Sequence, residues 1–182
     1  MVLGLLCSCN SKISDRVLKA KIDSECEPNN YKVIFLPIGD VTFNELEQRS
    51  YGFIGKQTIL FDNFMALQDE GLISCVQKER VGRIYRLQID LTDKGKEYLH
   101  GTKSKQGSLH FIPLKAYTLE RGRILNIEYD TDISGTCTYT MKYKEVTPFG
   151  KIWLGAEKGK EHPNQGGFHF FKSSETGKWT TH

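Results

Sequence analysis

The chain has 182 residues, with 25 Lys and Arg against 22 Asp and Glu and a formal net charge of +3. This length allows one domain or two small ones around a buried core. A hydrophobic fraction of 38% and a charged fraction of 26% are ordinary for a globular protein and argue against a disordered chain. No apolar run is long enough to cross a bilayer as a helix, and so mild a charge does not by itself indicate nucleic-acid binding.

The first nine residues, MVLGLLCSC, resemble the end of a bacterial lipoprotein signal. Leu6, Cys7, Ser8 and Cys9 occupy the four positions of a lipobox, whose final cysteine is lipidated in that class. The basic segment and the longer apolar core of a secretory signal do not precede it, as a start assigned too late or a trimmed leader would explain. The resemblance predicts lipid attachment at Cys9 and a membrane partner through that lipid. The alternative is an apolar terminus that frays or packs on the domain.

The other three cysteines are Cys26, Cys75 and Cys137. In an oxidising compartment one pair can form a disulfide and leave the third thiol free. In the cytoplasm all three are better interpreted as small buried hydrophobic residues. No CxxC pair occurs, which argues against a zinc site.

Residues 26–100 favour a winged-helix-like module. A run rich in β-formers predicts a strand over 31–38, and the following polar stretch predicts a helix over 43–51. Apolar residues at three- and four-residue steps predict an amphipathic helix over 60–67, ended near Gly71. Two strands then follow around a turn at 78–83, the second alternating from Ile84 to Leu91, before a short helix capped by Thr92 or Asp93.

The ending LTDKGKEYL resembles the exit from the wing of bacterial winged-helix regulators. In those proteins the helix before the ribbon enters the major groove. Here residues 57–77 contain no Lys or Arg and include Asp62, Asp69 and Glu70, so that helix would repel phosphates. A nucleic-acid partner is therefore disfavoured.

Four basic residues fall on the ribbon instead. They form a possible interaction surface, with an ordinary solvated hairpin tip as the alternative. These residues are Lys78, Arg80, Arg83 and Arg86.

After a polar linker at 100–107 the hydrophobic period changes to two. Strands are predicted over 108–117, 123–129, 136–144, 151–155 and 167–172, with turns at 120–122 and 132–135. Alternation of Cys137, Tyr139, Met141 and Tyr143 with polar residues indicates an antiparallel sheet or a small open barrel. The two tryptophans are interpreted as core residues.

The predicted fold class is α+β, with a winged-helix-like N-terminal module and a C-terminal antiparallel β sheet or small open barrel. The predicted divisions are a signal-like segment and lead-in (1–25), the winged-helix-like module (26–100) and the β module (108–182). The segments ending in LTDKGKEYL and containing CTYTMKYKEVTPFGK resemble a loosely defined set of uncharacterised bacterial envelope lipoproteins. This resemblance covers 58–99 and 136–151, and it implies an envelope location without implying an activity.

Chemistry-bearing motifs are sparse. None of the five histidines lies in HExxH, and no nucleophile elbow, P-loop or dinucleotide fingerprint occurs. His110, His169 and Cys137 could meet on neighbouring strands as a Cys/His site, although solvated strand histidines are commoner. The sequence therefore predicts no catalytic residue, no metal site and no cofactor, and we expect a protein that is not an enzyme.

The function predicted from these features is that of a non-enzymatic lipoprotein anchored in the cell envelope and facing the periplasm. It would bind or scaffold an envelope protein of unknown identity. The alternative is a cytoplasmic winged-helix DNA-binding regulator with a C-terminal sensing domain, which would apply if the N-terminus is not a signal.

Overall fold

A computed structural model describes residues 12–26, 30–44, 49–50, 58–59, 61–106 and 109–181. The lipobox and the predicted lipid site at Cys9 lie outside these residues. The helices are α1 (Asp15–Glu25), α2 (Phe61–Asp69), α3 (Asp93–Lys96) and α4 (Pro148–Leu154). The strands are β1 (Lys32–Asn44), β2 (Arg49–Ser50), β3 (Thr58–Ile59), β4 (Ile73–Val81), β5 (Ile84–Leu91), β6 (Ser104–Gln106), β7 (Leu109–Thr131), β8 (Ser134–Val146), β9 (Gly166–Lys172) and β10 (Trp179–Thr181).

Antiparallel sheet dominates the described chain, and the predicted winged-helix-like fold class is wrong. Hydrogen-bonded strands follow the order β10-β9-β8-β7-β1-β5-β4, with β6 also paired to β7 and a separate pair formed by β2 and β3. A separate C-terminal sheet or barrel is wrong as well, because β1, β4 and β5 belong to the same run of strands. The helix α2, the strand β5 and the short α3 are present where the sequence predicted them, but they do not form a winged helix.

The strand β1 explains the error. Its first part, Lys32 to Ile38, pairs with β7, and its second part, Gly39 to Asn44, pairs with β5. The change of partner falls at Gly39, whose φ of 81° lies in the left-handed region that glycine tolerates best. The ribbon of β4 and β5 therefore continues a sheet instead of projecting as a wing. The predicted helix over 43–51 is wrong at Phe43 and Asn44, which extend β1.

The predicted turn at 120–122 is also wrong, because β7 runs unbroken through it. Gly122 does not have a positive φ; it is instead a point of close approach between strands. A Cβ atom there would lie 2.3 Å from Thr140 Oγ1 and 2.7 Å from the Thr140 carbonyl oxygen. The Arg123 N–H donates to the same Thr140 hydroxyl.

Residues 151–154 form the second half of α4, so the predicted strand over 151–155 is wrong. Thr147 caps the helix by accepting a hydrogen bond from the Gly150 N–H, and Pro148 fills the first position. Gly155 ends the helix with a φ of 64°. The helix carries Trp153 into the core, where its ring meets Phe64 edge to face at 5.4 Å.

Contacts divide the chain into two compact units, each drawn from separated segments. The larger comprises Pro28–Leu119 and Tyr143–Lys160. Its core is built by one face of β1 and β5 together with α2 and α4. Its fully buried side chains include Ile34, Leu36, Phe64, Leu67, Leu72, Leu87, Ile89 and Phe149.

The smaller unit comprises Met1–Glu27, Glu120–Lys142 and Glu161–His182. Within its described residues, α1 buries Leu18 and Ile22, and the sheet buries Cys137 and Phe170. Trp179 adds an edge-to-face contact with Phe170 at 5.5 Å. The predicted division into 26–100 and 108–182 concerns independent folding and stays a prediction.

The close approach at Gly122 gives a testable expectation. We expect Gly122→Ala to lower the free energy of unfolding by about 2 kcal/mol, because the new methyl group overlaps backbone atoms that cannot move aside cheaply. Gly167→Ala is the matched control, since its Cβ would meet its nearest neighbour, the Cys137 carbonyl oxygen, at 3.4 Å. That variant should change stability by less than about 0.5 kcal/mol. Urea unfolding followed by circular dichroism measures both, and equal losses would refute the steric explanation.

Candidate interaction surface

The hairpin of β4 and β5 carries the four basic residues singled out from the sequence. Val81 pairs with Ile84, so only Gly82 and Arg83 form the turn, and the predicted turn at 78–83 is too long. Gly82 has a φ of 59°, and no described residue other than glycine has a positive φ. This is the pattern of a type II′ hairpin turn, which suits the twist of the flanking strands.

A β-bulge at Lys78 determines which side chains the hairpin exposes. Gln77 pairs with Leu87 and Glu79 pairs with Arg86, which leaves Lys78 as the extra residue. An extra residue shifts the alternation of the strand by one position. Cys75 therefore lies on the same face as Leu87 and Ile89 before the bulge, whereas Val81 lies on the opposite face after it.

The outer face of the hairpin carries unusual apolar exposure. Val76 is 48% exposed, Val81 is 64% exposed and Ile84 is 47% exposed. Val81 and Ile84 form a direct cross-strand pair next to the turn. The inner face, in contrast, buries Tyr85, Leu87 and Ile89 in the core.

Three of the four predicted cations lie at the same end of the hairpin as this exposed pair of Val81 and Ile84. Lys78 and Arg83 are exposed, and neither has an ion-pair partner among the described side chains. Arg80 lies 4.8 Å from the centroid of the Tyr85 ring and donates from Nε to the Gly82 carbonyl oxygen at 3.1 Å. Arg86 differs, because its guanidinium pairs with Asp40 at 3.3 Å. We define the tip surface as Val76, Lys78, Arg80, Val81, Arg83 and Ile84.

The backbone of β4 is also available along part of its length, because β4 is the last strand at its end of the sheet. Near its start, the Cys75 N–H is already occupied, since it donates to Gln68 Oε1 of α2 at 2.9 Å. An antiparallel ladder alternates inward and outward groups, so the outward Cys75 N–H implies an outward Gln77 N–H. The bulge then makes Arg80 the next residue whose N–H faces outward.

The proposed Cys/His site does not form. Cys137 is fully buried beside its pairing partner Phe168, whereas His169 is exposed on the other face and contacts Thr136 Oγ1 at 3.4 Å. Burial raises the pKa of the Cys137 thiol, which disfavours the thiolate that a nucleophile needs. Within the described residues, no group of three or more His, Cys, Asp or Glu side chains is placed to hold a metal ion.

A cleft of about 480 Å³ lies beside α4 in the larger unit, lined in part by Glu70, Thr147 and Lys151. Two of its polar side chains have structural partners. The Thr147 hydroxyl donates to the Lys115 carbonyl oxygen at 2.6 Å, and Glu157, also in the lining, pairs with Lys160 at 2.7 Å. Thr147 also caps α4, so its position in the cleft has a structural explanation.

Comparison with known protein families, curated proteins and solved structures found no match to this chain. None of the helices in the described ranges is both long enough and apolar enough to cross a membrane. The candidate surface therefore depends on the geometry of the hairpin alone.

Sequence reasoning found the cations of the tip surface but missed its valines. The stretch ISCVQKERV gave no signal of this, because Val81 falls in the same alternating phase as Ile73 and Cys75. The bulge at Lys78 moves Val81 to the outer face. Strand alternation alone would therefore have placed Val81 on the inner face.

The bulge can be tested by deletion. Removing Lys78 should leave a regular ladder with the same partners, so we expect folding with a loss of stability under about 1 kcal/mol. Removing Gln88 from β5 is the matched control, because it turns the fully buried Ile89 toward solvent. That deletion should cost on the order of 3 kcal/mol or more. Thermal unfolding measures the stability of both deletion variants. Equal losses of stability would show that Lys78 is not the extra residue of the bulge.

Proposed function

We propose that this protein is a non-enzymatic binding component of the bacterial cell envelope that contacts a partner protein through the tip surface. The observation that carries the proposal is the exposed apolar pair of Val81 and Ile84 at a hairpin tip that also carries Lys78, Arg80 and Arg83. Covering exposed aliphatic side chains with a partner removes apolar surface from water, which favours binding. Arginine is enriched in protein interfaces for its large contact area and its directional hydrogen bonds.

The side chains of the hairpin favour a binding surface over an ordinary solvated tip. A merely solvated tip needs only polar side chains, whereas this one exposes three aliphatic residues on one face. The bulge turns Val81 to the same face as Val76 and Ile84, and it leaves Arg80 against Tyr85. A partner that contacts the tip therefore meets a surface with apolar and cationic parts in fixed positions.

The envelope location rests on the lipobox resemblance at residues 6–9 and on the wider resemblance to envelope lipoproteins. A lipid on Cys9 would place the described part of the chain close to a membrane surface. The DNA-binding alternative depended on a winged helix, and the pairing of β5 with β1 removes that basis. We therefore keep the lipoprotein hypothesis and do not propose a regulator.

Lipid attachment is testable in cells. We expect the full-length gene product to incorporate labelled palmitate, and Cys9→Ala to abolish the label, because Cys9 occupies the lipidated position of the lipobox. Cys26→Ala, a substitution at a buried thiol, should leave labelling unchanged. Globomycin should cause unprocessed precursor to accumulate. A wild-type protein that takes up no label would rule out the anchor.

Contact through the tip surface is testable by site-specific photo-crosslinking in the native host. A photoreactive amino acid at Val81 should give a discrete adduct, because that side chain would lie against the partner. The same amino acid at Lys178, an exposed position in the smaller unit, is the control. The Val81 adduct should disappear when Arg80→Glu and Arg83→Glu are added. An equal pattern from both positions would contradict the proposed surface.

A further inference from the structure

We infer that the free edge of β4 binds an extended polypeptide segment in which acidic and apolar residues alternate, added as a further strand. This inference rests on the proposed function and specifies both the chemistry of the partner and how it binds. Three features of the hairpin support it: an uncovered stretch of edge, outward backbone groups, and side chains that differ between the two faces.

The uncovered stretch is the second half of β4. Gln68 of α2 accepts the Cys75 N–H, so the first half of the edge is partly covered by the chain itself. Beyond it, residues 77–81 are all exposed, and among the described residues no strand pairs with their outer side. The uncovered stretch is long enough for a segment of about five residues at a strand rise of roughly 3.3 Å per residue.

The backbone groups of this stretch suit strand addition. The ladder turns the N–H and carbonyl groups of Gln77 and Arg80 away from β5, as argued above from the Cys75 contact and the bulge. A segment lying alongside can pair with these groups. In recognition of this kind, main-chain hydrogen bonds supply affinity and alternate side chains supply specificity.

The side chains of the edge then define the segment. Val76 and Val81 lie on the outer face, where they favour apolar neighbours. Arg80 lies on the inner face against Tyr85, where its guanidinium favours a carboxylate. Successive residues of a strand point to opposite faces, so one segment satisfies both faces only if apolar and acidic residues alternate. Lys78 lies within the stretch and Arg83 lies in the turn beyond it; together with Arg80 they outnumber the one carboxylate of the stretch, Glu79, whose cross-strand partner is Arg86.

A second copy of this chain fits the edge poorly. Pairing two β4 edges would bring Lys78 and Arg80 of each copy near those of the other, and like charges placed together are destabilising. An acidic segment meets the same cations with a favourable sign.

The inference can be tested with the full chain and a fluorescent seven-residue peptide of alternating Glu and Val, capped at both ends. We expect saturable binding by fluorescence anisotropy that weakens as salt is raised, because exposed charges are screened. Two peptide controls separate the contributions. Alternating Lys and Val tests the sign of the charge, and the acidic peptide with alternate backbone nitrogens methylated tests strand pairing.

Variants of the protein test the edge itself. Arg80→Glu combined with Arg83→Glu should weaken binding of the acidic peptide about tenfold or more. Lys178→Glu combined with Lys158→Glu, an equal change of charge at exposed positions that are not part of the hairpin, should leave it within about twofold. Gln77→Pro removes one outward N–H while keeping every charge, and it should also weaken binding. Circular dichroism and thermal unfolding must show that each variant is folded. Gln77→Ala is the control for the proline variant, because it removes the same side chain and keeps the outward N–H.

The outcomes are distinct. Binding that survives Gln77→Pro and backbone methylation, or that is equal for the Lys-containing peptide, would overturn strand addition. Concentration-dependent dimers in sedimentation, lost on Gln77→Pro, would assign the edge to a second copy and overturn it too. If the Val81 adduct forms in cells but the acidic peptide does not bind, this inference fails while the proposed function stands. If the peptide binds but no adduct forms, the cellular role fails instead.

Discussion

The pairing of β1 with two different strands is the constraint on which the larger unit depends. Its first half is held by β7 and its second half by β5, so one strand connects the hairpin to the rest of the unit's sheet. The buried face of β1 supplies Ile34, Leu36 and Phe43 to the core. Burial of that face stabilises the pairing far more than local strand propensity does, since the apolar surface removed from water is large. The strand β5 pairs with β1 on one side and with β4 on the other, which leaves β4 as the last strand with an exposed edge.

Local patterns in the sequence predicted much of this unit. The spacing of apolar residues identified α2, and strict alternation identified which face of β5 is buried. The partners of these elements were beyond reach, because strand pairing is decided by contacts between residues far apart in the chain. A helix, a ribbon and a short capped helix follow one another in many folds. The pairing of β1 with β5, which includes Phe43 opposite Tyr85, distinguishes the observed arrangement from a winged helix.

Other errors came from giving one residue type a single meaning. The sequence predicts a turn at Gly122, whereas the lack of a side chain there lets two strands approach each other. Around α4 the opposite happened: Thr147, Pro148 and Gly155 are good capping residues at helical spacing, but a short run of apolar residues between them suggested a strand. At the tip surface, composition revealed the cations, and only the register could reveal that Val81 accompanies them.

The left-handed backbone at Gly39 has a consequence for how the tip surface is presented. Because β1 changes partner at this one residue, the direction of the hairpin relative to β7 depends on the dihedral angles of a single glycine. A Cβ placed there would meet no neighbour within 4 Å, so the constraint lies in backbone conformation and not in packing. The side chains of the tip surface and the direction of the hairpin are therefore determined by different residues. A substitution at Gly39 would change the direction of the hairpin and leave the side chains of the tip surface unchanged.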